Sequence, residues 1–277
     1  MAPNLVPNFE VKFLLKSSDV LTPANDLAPE LTSLLSIPAN APAIPIVVLF
    51  LDTPEKTLTA AGWCPRIRRV GGKDGLELTY KKRYPIQGED IDAALTTANH
   101  DGFKGKKGGD KDDDDKYLAQ GEWGYEKMTL SISRDKKVND AKVKGSKHGG
   151  EVGELSLPGV DVARQVMADE APSKFDEDGE DKKKGWGKNL LEKARVYGPI
   201  LTRRWVGQWQ GVKMTVEVWP IVLKDGKGVE TIVEASFKAD TIDEARDKRK
   251  KVTDLFNAKG WLVPRDSLKT QLVMDNY

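Results

Sequence analysis

The strongest structural signal in the chain is PRIRRVGGKDGLELTYKKRY, which spans residues 65–84. Its two halves resemble strands, and the glycine-rich segment 71–75 between them is typical of a hairpin turn. Side chains alternate between the two faces of a strand, so Arg66 and Arg68 share one face of the first strand. One face of the second strand carries Glu77, Thr79, Lys81 and Arg83. The stretch therefore predicts two strands with a strongly charged face.

The same alternation of apolar and polar residues recurs on both sides of this hairpin. It covers 9–15, 127–133, 213–220 and 230–238, and each segment predicts a strand. Helices are fewer. Thr241 followed by Glu244 has the spacing of a capping box, and the helical pattern after it ends at Gly260. Shorter helices are expected at 23–35, 160–168 and 189–194. The chain is therefore predicted to be α+β, with at least seven strands.

Composition excludes several classes of protein. The 277 residues include 44 Lys and Arg against 43 Asp and Glu, so a binding surface must come from local charge rather than from the total. The single cysteine, Cys64, excludes an intrachain disulfide and a cysteine-based zinc site. His100 and His148 lie in polar stretches, which argues against a histidine-dependent triad. No signal peptide is recognised, and the longest apolar run is too short to span a bilayer. We expect a cytoplasmic protein.

Three polar segments interrupt the predicted strands. We expect a single domain over 1–277 with flexible insertions at about 99–116, 136–150 and 171–188, because these segments have little apolar surface to bury. The aspartate run at 112–115 is interpreted as a hydrated loop rather than a cation site. Together with Lys116 it also spells a protease tag site, so a natural or engineered origin stays open.

The charged strand faces suggest a ligand. Closing such strands into a barrel would bring cations and carboxylates together inside it, at a cost unless they pair or bind an anion. Arg203 and Arg204 are neighbours on one strand, so only one of them can point inward. A polyphosphate is the natural counter-ligand, because arginine offers bidentate contacts and lysine a point charge.

These residues resemble the CYTH superfamily, the triphosphate tunnel metalloenzymes, which includes thiamine triphosphatases and class IV adenylate cyclases. The resemblance runs in order from residue 8 to residue 274 and implies an antiparallel β-barrel tunnel with helices packed outside. The segments that carry it are Asn8-Phe9-Glu10-Val11-Lys12, Phe50-Leu51-Asp52-Thr53-Pro54, Arg66-Ile67-Arg68, Leu78-Thr79-Tyr80-Lys81, Arg203-Arg204-Trp205, Glu217, Glu234-Ala235-Ser236, and Lys269 on a final strand at 267–274.

The resemblance also implies a set of site residues. Three residues are the expected catalytic groups: Glu10, Lys12 and Lys81. Six are expected to bind phosphate: Arg66, Arg68, Arg203, Arg204, Lys238 and Lys269. Three are expected to bind Mg²⁺ or Mn²⁺: Glu10, Glu217 and Glu234. Two carboxylates of the family pattern are replaced, by Asn8 and Ser236, which predicts a weakened metal site.

Several functions remain open at this stage. The first is metal-dependent hydrolysis of a triphosphate or related phosphoryl chemistry. The second is a repurposed tunnel that binds a nucleotide or an RNA-linked substrate, as a tRNA-dependent biosynthetic enzyme would, with tryptophans available to stack on a base. Two further alternatives are a non-catalytic phosphate-binding protein and a structural protein with internally paired charges. The expected partner is a polyphosphorylated small molecule or nucleotide, or an RNA end, and no membrane; the oligomeric state is left open.

Overall fold

The computed structural model describes residues 5–105, 116–143, 151–152, 155–178, 184–266 and 269–277. The strands in these ranges are β1 (Asn8–Leu15), β2 (Ile44–Asp52), β3 (Arg66–Val70), β4 (Leu76–Ile86), β5 (Lys104–Gly105), β6 (Lys116–Trp123), β7 (Met128–Val138), β8 (Glu151–Val152), β9 (Leu155–Ser156), β10 (Arg195–Trp209), β11 (Val212–Val222) and β12 (Val229–Ala239). The helices are α1 (Ser17–Val20), α2 (Pro29–Leu34), α3 (Thr57–Ala60), α4 (Ile91–His100), α5 (Val160–Asp169), α6 (Ser173–Asp176), α7 (Trp186–Glu192), α8 (Ile242–Ala258) and α9 (Lys269–Asn276), with a 3₁₀ helix at Asp140–Val143.

Nine of these strands close into a barrel. Their order is β1-β12-β11-β10-β2-β3-β4-β7-β6, and β6 pairs with β1 to complete the circle. The predicted α+β barrel with outer helices is confirmed. All neighbouring pairs are antiparallel, as expected, except that β6 and β1 are parallel. Because the chain between these two strands runs around the barrel rather than through a hairpin, nothing forces them to be antiparallel.

The outer face of the barrel is apolar and covered by helices. On one side, Val11 and Phe13 of β1 pack with Phe256 of α8. On the opposite side, Tyr80 of β4 packs with Phe175 of α6. This burial of the apolar side of each strand directs the polar side of the same strand into the barrel.

One end of the barrel is filled by apolar side chains and by α9. Leu14 of β1 and Ile232 of β12 lie on the inward faces of their strands, and they pack in one cluster with Val273 and Met274 of α9. At its outer surface the helix is held by an ion pair of 2.5 Å between Lys56 Nζ and Asp275 Oδ1. The C-terminal helix therefore closes this end.

Several local predictions are wrong. The segment 267–274 was expected to be a strand, but Lys269 begins α9, whose Val273 and Met274 are buried against the barrel end. A flexible insertion was expected from about residue 99, but His100 ends α4, a helix with a buried Ala94–Leu95–Ala98 face.

Two of the polar segments also contain buried aromatic residues. Phe103, within 99–116, is 2% exposed, and Phe175, within 171–188, is fully buried. A single large aromatic residue is enough to anchor a polar segment to the core. The single-domain organisation stays a prediction. The run 112–115 and His148 lie outside the described residues.

In the part of the chain that the structure describes, no helix combines the length and the apolar composition needed to cross a lipid bilayer.

Candidate functional site

The barrel encloses a cavity of about 350 Å³ lined mainly by charged and polar side chains. Among the described residues, eight lysines and arginines line it against four carboxylates, so the cavity carries an excess of positive charge. The charged lining residues are Glu10, Lys12, Arg66, Arg68, Lys81, Arg83, Asp135, Arg204, Glu217, Glu234, Lys238 and Lys269.

Glu122 connects three strands at one side of this cavity. Its Oε2 lies 2.9 Å from Lys12 Nζ of β1, and its Oε1 lies 2.6 Å from Lys81 Nζ of β4. Ser131 Oγ of β7 donates a hydrogen bond of 2.6 Å to the same Oε1, and Arg83 Nε is 3.9 Å from Oε2. A single buried carboxylate therefore positions two of the three predicted catalytic groups.

Burial and the neighbouring charges have opposite effects on the pKa values of the residues in this cluster. Burial raises the pKa of Glu122, but Lys12 and Lys81 together lower it well below its usual range. Burial lowers the pKa of Lys12, but Glu122, Glu10 and Glu234 together more than reverse this, so the pKa of Lys12 is raised. The pKa of Lys81 stays lowered, because burial outweighs the attraction of Glu122. The pKa values of the two lysines of the cluster are thus shifted in opposite directions.

Arg66 is a half-buried residue whose guanidinium forms no ion pair with a carboxylate in the described part of the chain. Its Nη2 donates to Thr79 Oγ1 at 3.1 Å, and its buried Nε has no hydrogen-bond partner there. Burial, and then the charge of Arg68, lower the pKa of Arg66. Arg68 differs, because its Nε donates to Glu77 Oε2 at 2.5 Å. Arg66 is therefore a cavity cation that has no anionic partner among the described residues.

The two neighbouring arginines of β10 point in opposite directions. Arg204 faces the cavity and contacts Glu217 Oε1 through Nη2 at 2.5 Å. Arg203 lies outside the barrel, where it contacts Asp26 Oδ1 at 2.6 Å and lies over the ring of Trp205. The expectation that one of the pair points inward is confirmed, and the structure does not bring Arg203 to the cavity, because strand alternation turns it outward.

Glu217 and Glu234 lie opposite each other on β11 and β12. Lys269 Nζ donates to both, at 2.8 Å from Glu217 Oε2 and 2.8 Å from Glu234 Oε1. Trp219 Nε1 also donates to Glu217 Oε2 at 2.9 Å. Burial raises the pKa of Glu217, but Lys269 and Arg204 bring it well below its usual range. These carboxylates are thus ion-paired within the protein.

Glu10 is separated from that pair. It is paired in register with Lys238, whereas Glu234 is opposite Leu14, four residues or about 13 Å further along β1. Its nearest ionic contact is Lys12 Nζ at 3.4 Å. The predicted ligand set of Glu10, Glu217 and Glu234 does not converge on one point.

The residues present do not fit a Mg²⁺ or Mn²⁺ site built from these three carboxylates. Within the described ranges, no group of three or more His, Cys, Asp or Glu side chains is placed to hold a metal ion. The replacement of two family carboxylates by Asn8 and Ser236 predicted a weakened metal site. Both of these neutral residues line the cavity.

Glu122 was not predicted from the sequence, and the tryptophans contribute less to the cavity than expected. The alternation of Leu118, Gln120 and Glu122 toward the cavity side was the available signal, but it adjoins the polar run before Lys116 and was not recognised. Of the tryptophans, Trp219 is the one found among the described residues that line the cavity. Its indole is already engaged by Glu217.

No protein-family model matches the chain, and neither does any curated protein. Solved structures do match. A candidate adenylyl cyclase from Hippeastrum, reported with a dominant triphosphatase activity, aligns at 12% identity and a TM-score of 0.53, covering 95% of this chain and 93% of its own. A candidate adenylate cyclase from Bacillus halodurans aligns at 12% identity and a TM-score of 0.49, covering 96% of both chains.

At 12% identity the Hippeastrum structure supports a conclusion about fold alone. Its alignment spans the barrel and the helices around it, and the ordered motifs between residues 8 and 274 point the same way. The chain has the closed β-barrel fold of this solved structure.

Proposed function

We propose that this protein binds the polyphosphate part of a small molecule or nucleotide inside the barrel. The observation that carries the proposal is Arg66, whose guanidinium faces the cavity, has a buried Nε without a hydrogen-bond partner, and forms no ion pair with a carboxylate among the described residues. A buried charge without a partner is costly, and a phosphate oxygen would supply the missing contact in the geometry that arginine favours.

The other charged side chains of the cavity also favour a polyphosphate ligand. Lys238, at the opposite end of β12 from the apolar cluster, lines the cavity, and its side chain has no hydrogen bond or ion pair with any described residue. The excess of cations over carboxylates favours a ligand with several negative charges. The volume of about 350 Å³ falls within the range of small-molecule sites.

We propose that the protein hydrolyses the terminal phosphoanhydride bond of the bound polyphosphate. The oxygen of a water molecule would bond to the terminal phosphorus while the bridging P–O bond breaks, releasing inorganic phosphate and the shortened chain. Glu10 is the proposed acceptor of the water proton, because it lines the cavity and its Oε1 has no hydrogen bond or ion pair with a described residue. Lys12 and Lys81 would neutralise the charge that develops on phosphate. The activity reported for the Hippeastrum protein supports the choice of this reaction.

The first test compares two arginines of β3. Arg66→Met removes the cation that faces the cavity, whereas Arg69→Met removes an outward cation whose contact is Asp140. Binding of tripolyphosphate is measured by calorimetry, and phosphate release from tripolyphosphate and ATP by a colorimetric assay. Hydrogen bonds to charged groups contribute about 1.5–3 kcal/mol, so Arg66→Met should weaken binding by about 10- to 100-fold. Arg69→Met should bind as the unmodified protein does.

Two results would contradict the proposal. One is the absence of tripolyphosphate binding by the unmodified protein. The other is equal weakening by both substitutions, since a ligand attracted only by the general charge of β3 would not distinguish its two faces. Binding without phosphate release would leave a tunnel that holds polyphosphate and would reject the hydrolytic step assigned to Glu10.

A further inference from the structure

Glu217 and Glu234 resemble half of a cation site. They are directly opposite on neighbouring antiparallel strands, and both face the cavity. Two adjacent carboxylates facing a phosphate-binding cavity could share a divalent cation with the phosphate oxygens. The position between these two carboxylates is occupied by the protein itself, because Lys269 Nζ is 2.8 Å from an oxygen of each.

The coordination of Glu217 is complete without a metal. Arg204 donates to Oε1 through Nε at 2.9 Å and Nη2 at 2.5 Å. Lys269 and Trp219 donate to Oε2 at 2.8 and 2.9 Å. A carboxylate offers about four lone-pair positions, so Glu217 has no position left for a metal ion.

The surroundings keep Lys269 charged and in place. Its side chain is 15% exposed, and its ammonium lies 4.6 Å from the centre of the Trp219 ring, a contact that favours a cation. Burial lowers the pKa of Lys269, but Glu217 and Glu234 more than compensate and raise it. The residue begins α9, whose Val273 and Met274 are fixed in the barrel end, so the helix sets the position of its ammonium.

We propose that Lys269 is a built-in replacement for a divalent cation, and that the tunnel therefore binds its polyphosphate ligand without Mg²⁺ or Mn²⁺. This inference rests on the proposed polyphosphate binding. It explains why the carboxylates expected to hold a metal are ion-paired, and why Asn8 and Ser236 are tolerated where the family pattern has acidic residues.

The first experiment uses the unmodified protein. Tripolyphosphate binding is measured by calorimetry in excess EDTA, and Mn²⁺ binding is measured separately by electron paramagnetic resonance without phosphate. The expected results are binding in EDTA and no Mn²⁺ bound at the Glu217–Glu234 pair. Tripolyphosphate binding that appears only when a divalent metal is added would overturn the inference. Mn²⁺ bound by the unmodified protein and lost in Glu217→Gln would also overturn it.

The second experiment removes the internal cation. Lys269→Met keeps an unbranched side chain that is one atom shorter and leaves the carboxylate pair without its ammonium, so this variant should gain a Mn²⁺ signal. Lys269→Arg keeps the charge and should gain none. Lys238→Met is the matched control, because Lys238 lines the same cavity but does not contact either glutamate. A folded Lys269→Met that binds no more Mn²⁺ than the Lys238→Met control would count against the replacement.

The two proposals fail in different ways. If tripolyphosphate binds neither in EDTA nor with metal, the proposed function is wrong, and the Mn²⁺ measurements still test Lys269. If Lys269→Met does not fold, as judged by circular dichroism, the EDTA and Mn²⁺ measurements on the unmodified protein decide the question alone.

Discussion

At the scale of single residues, Glu122 shows how buried charges are held in this barrel. It accepts from Lys12, Lys81 and Ser131, and its side chain is 10% exposed. Removing one partner of a buried ion pair leaves the other charges uncompensated, at a cost of about 3–5 kcal/mol. Glu122 is therefore a structural requirement of the site as well as part of its electrostatics.

We expect Glu122→Gln to lower the free energy of unfolding at pH 7 by about 3 kcal/mol, measured by urea denaturation. Because the folded-state pKa of Glu122 is below the unfolded value, its contribution is present above the unfolded pKa, near 4.3, and is lost as the pH falls toward the folded pKa. The difference between the two proteins should therefore shrink at acid pH. Glu126→Gln, at an exposed position, is the control and should change stability by less than about 0.5 kcal/mol. A difference that stays constant down to pH 3 would contradict this, because it would mean that the pKa of Glu122 is the same in the folded and unfolded protein.

At the scale of secondary-structure elements, α8 begins with a cap that the sequence already indicates. Thr241 Oγ1 accepts a hydrogen bond from the backbone N–H of Glu244 at 3.2 Å, and Glu244 Oε2 accepts one from the backbone N–H of Asp240 at 3.0 Å. The helix packs Val252 and Phe256 against the outer face of the barrel. Its start therefore affects how well that face is covered.

Loss of this cap should be measurable. Thr241→Ala is expected to lower the free energy of unfolding by about 1 kcal/mol, whereas Thr241→Ser keeps the hydroxyl and should stay close to the unmodified protein. Urea denaturation of the three proteins provides the comparison. Equal stability of the alanine and serine variants would mean that the hydroxyl contributes nothing to the start of α8.

Elements with a strong local pattern were predictable, and those defined by distant contacts were not. The hairpin of β3 and β4 follows from alternation, as does the inward direction of Arg66 and Lys81. Glu122 was missed because its partner Lys12 is 110 residues away. Lys269 was assigned to a strand by resemblance, whereas the apolar cluster at the barrel end favours a helix there. Long-range packing overrides local pattern in such cases.

At the scale of the whole molecule, an almost neutral chain contains a locally positive cavity. The net charge is +1, yet the cations lining the cavity outnumber the carboxylates. Binding should therefore depend on the cavity rather than on long-range attraction. This distinction can be tested by ligand-dependent stability at different salt concentrations.

We expect tripolyphosphate to stabilise the fold. At 100 times its dissociation constant, a ligand that binds only the folded state adds about 2.7 kcal/mol, which should appear as a higher melting temperature in differential scanning fluorimetry. Because buried charges are screened less than exposed ones, the shift should persist when NaCl is raised toward physiological strength. Sulfate at the same concentration is the control for general anion effects, and an equal shift with sulfate would remove the case for polyphosphate specificity.

The helix that fills one end of the barrel has a consequence for long ligands. A chain of linked phosphates cannot be threaded through a passage that is blocked by Val273 and Met274; it has to enter by a free terminus and leave by the way it came. The amount of polyphosphate bound would then depend on the number of chain termini rather than on the number of phosphate units. For polyphosphates of different length, occupancy of the barrel should follow the molar concentration of polyphosphate molecules. A polyphosphate that is blocked at both termini should not bind.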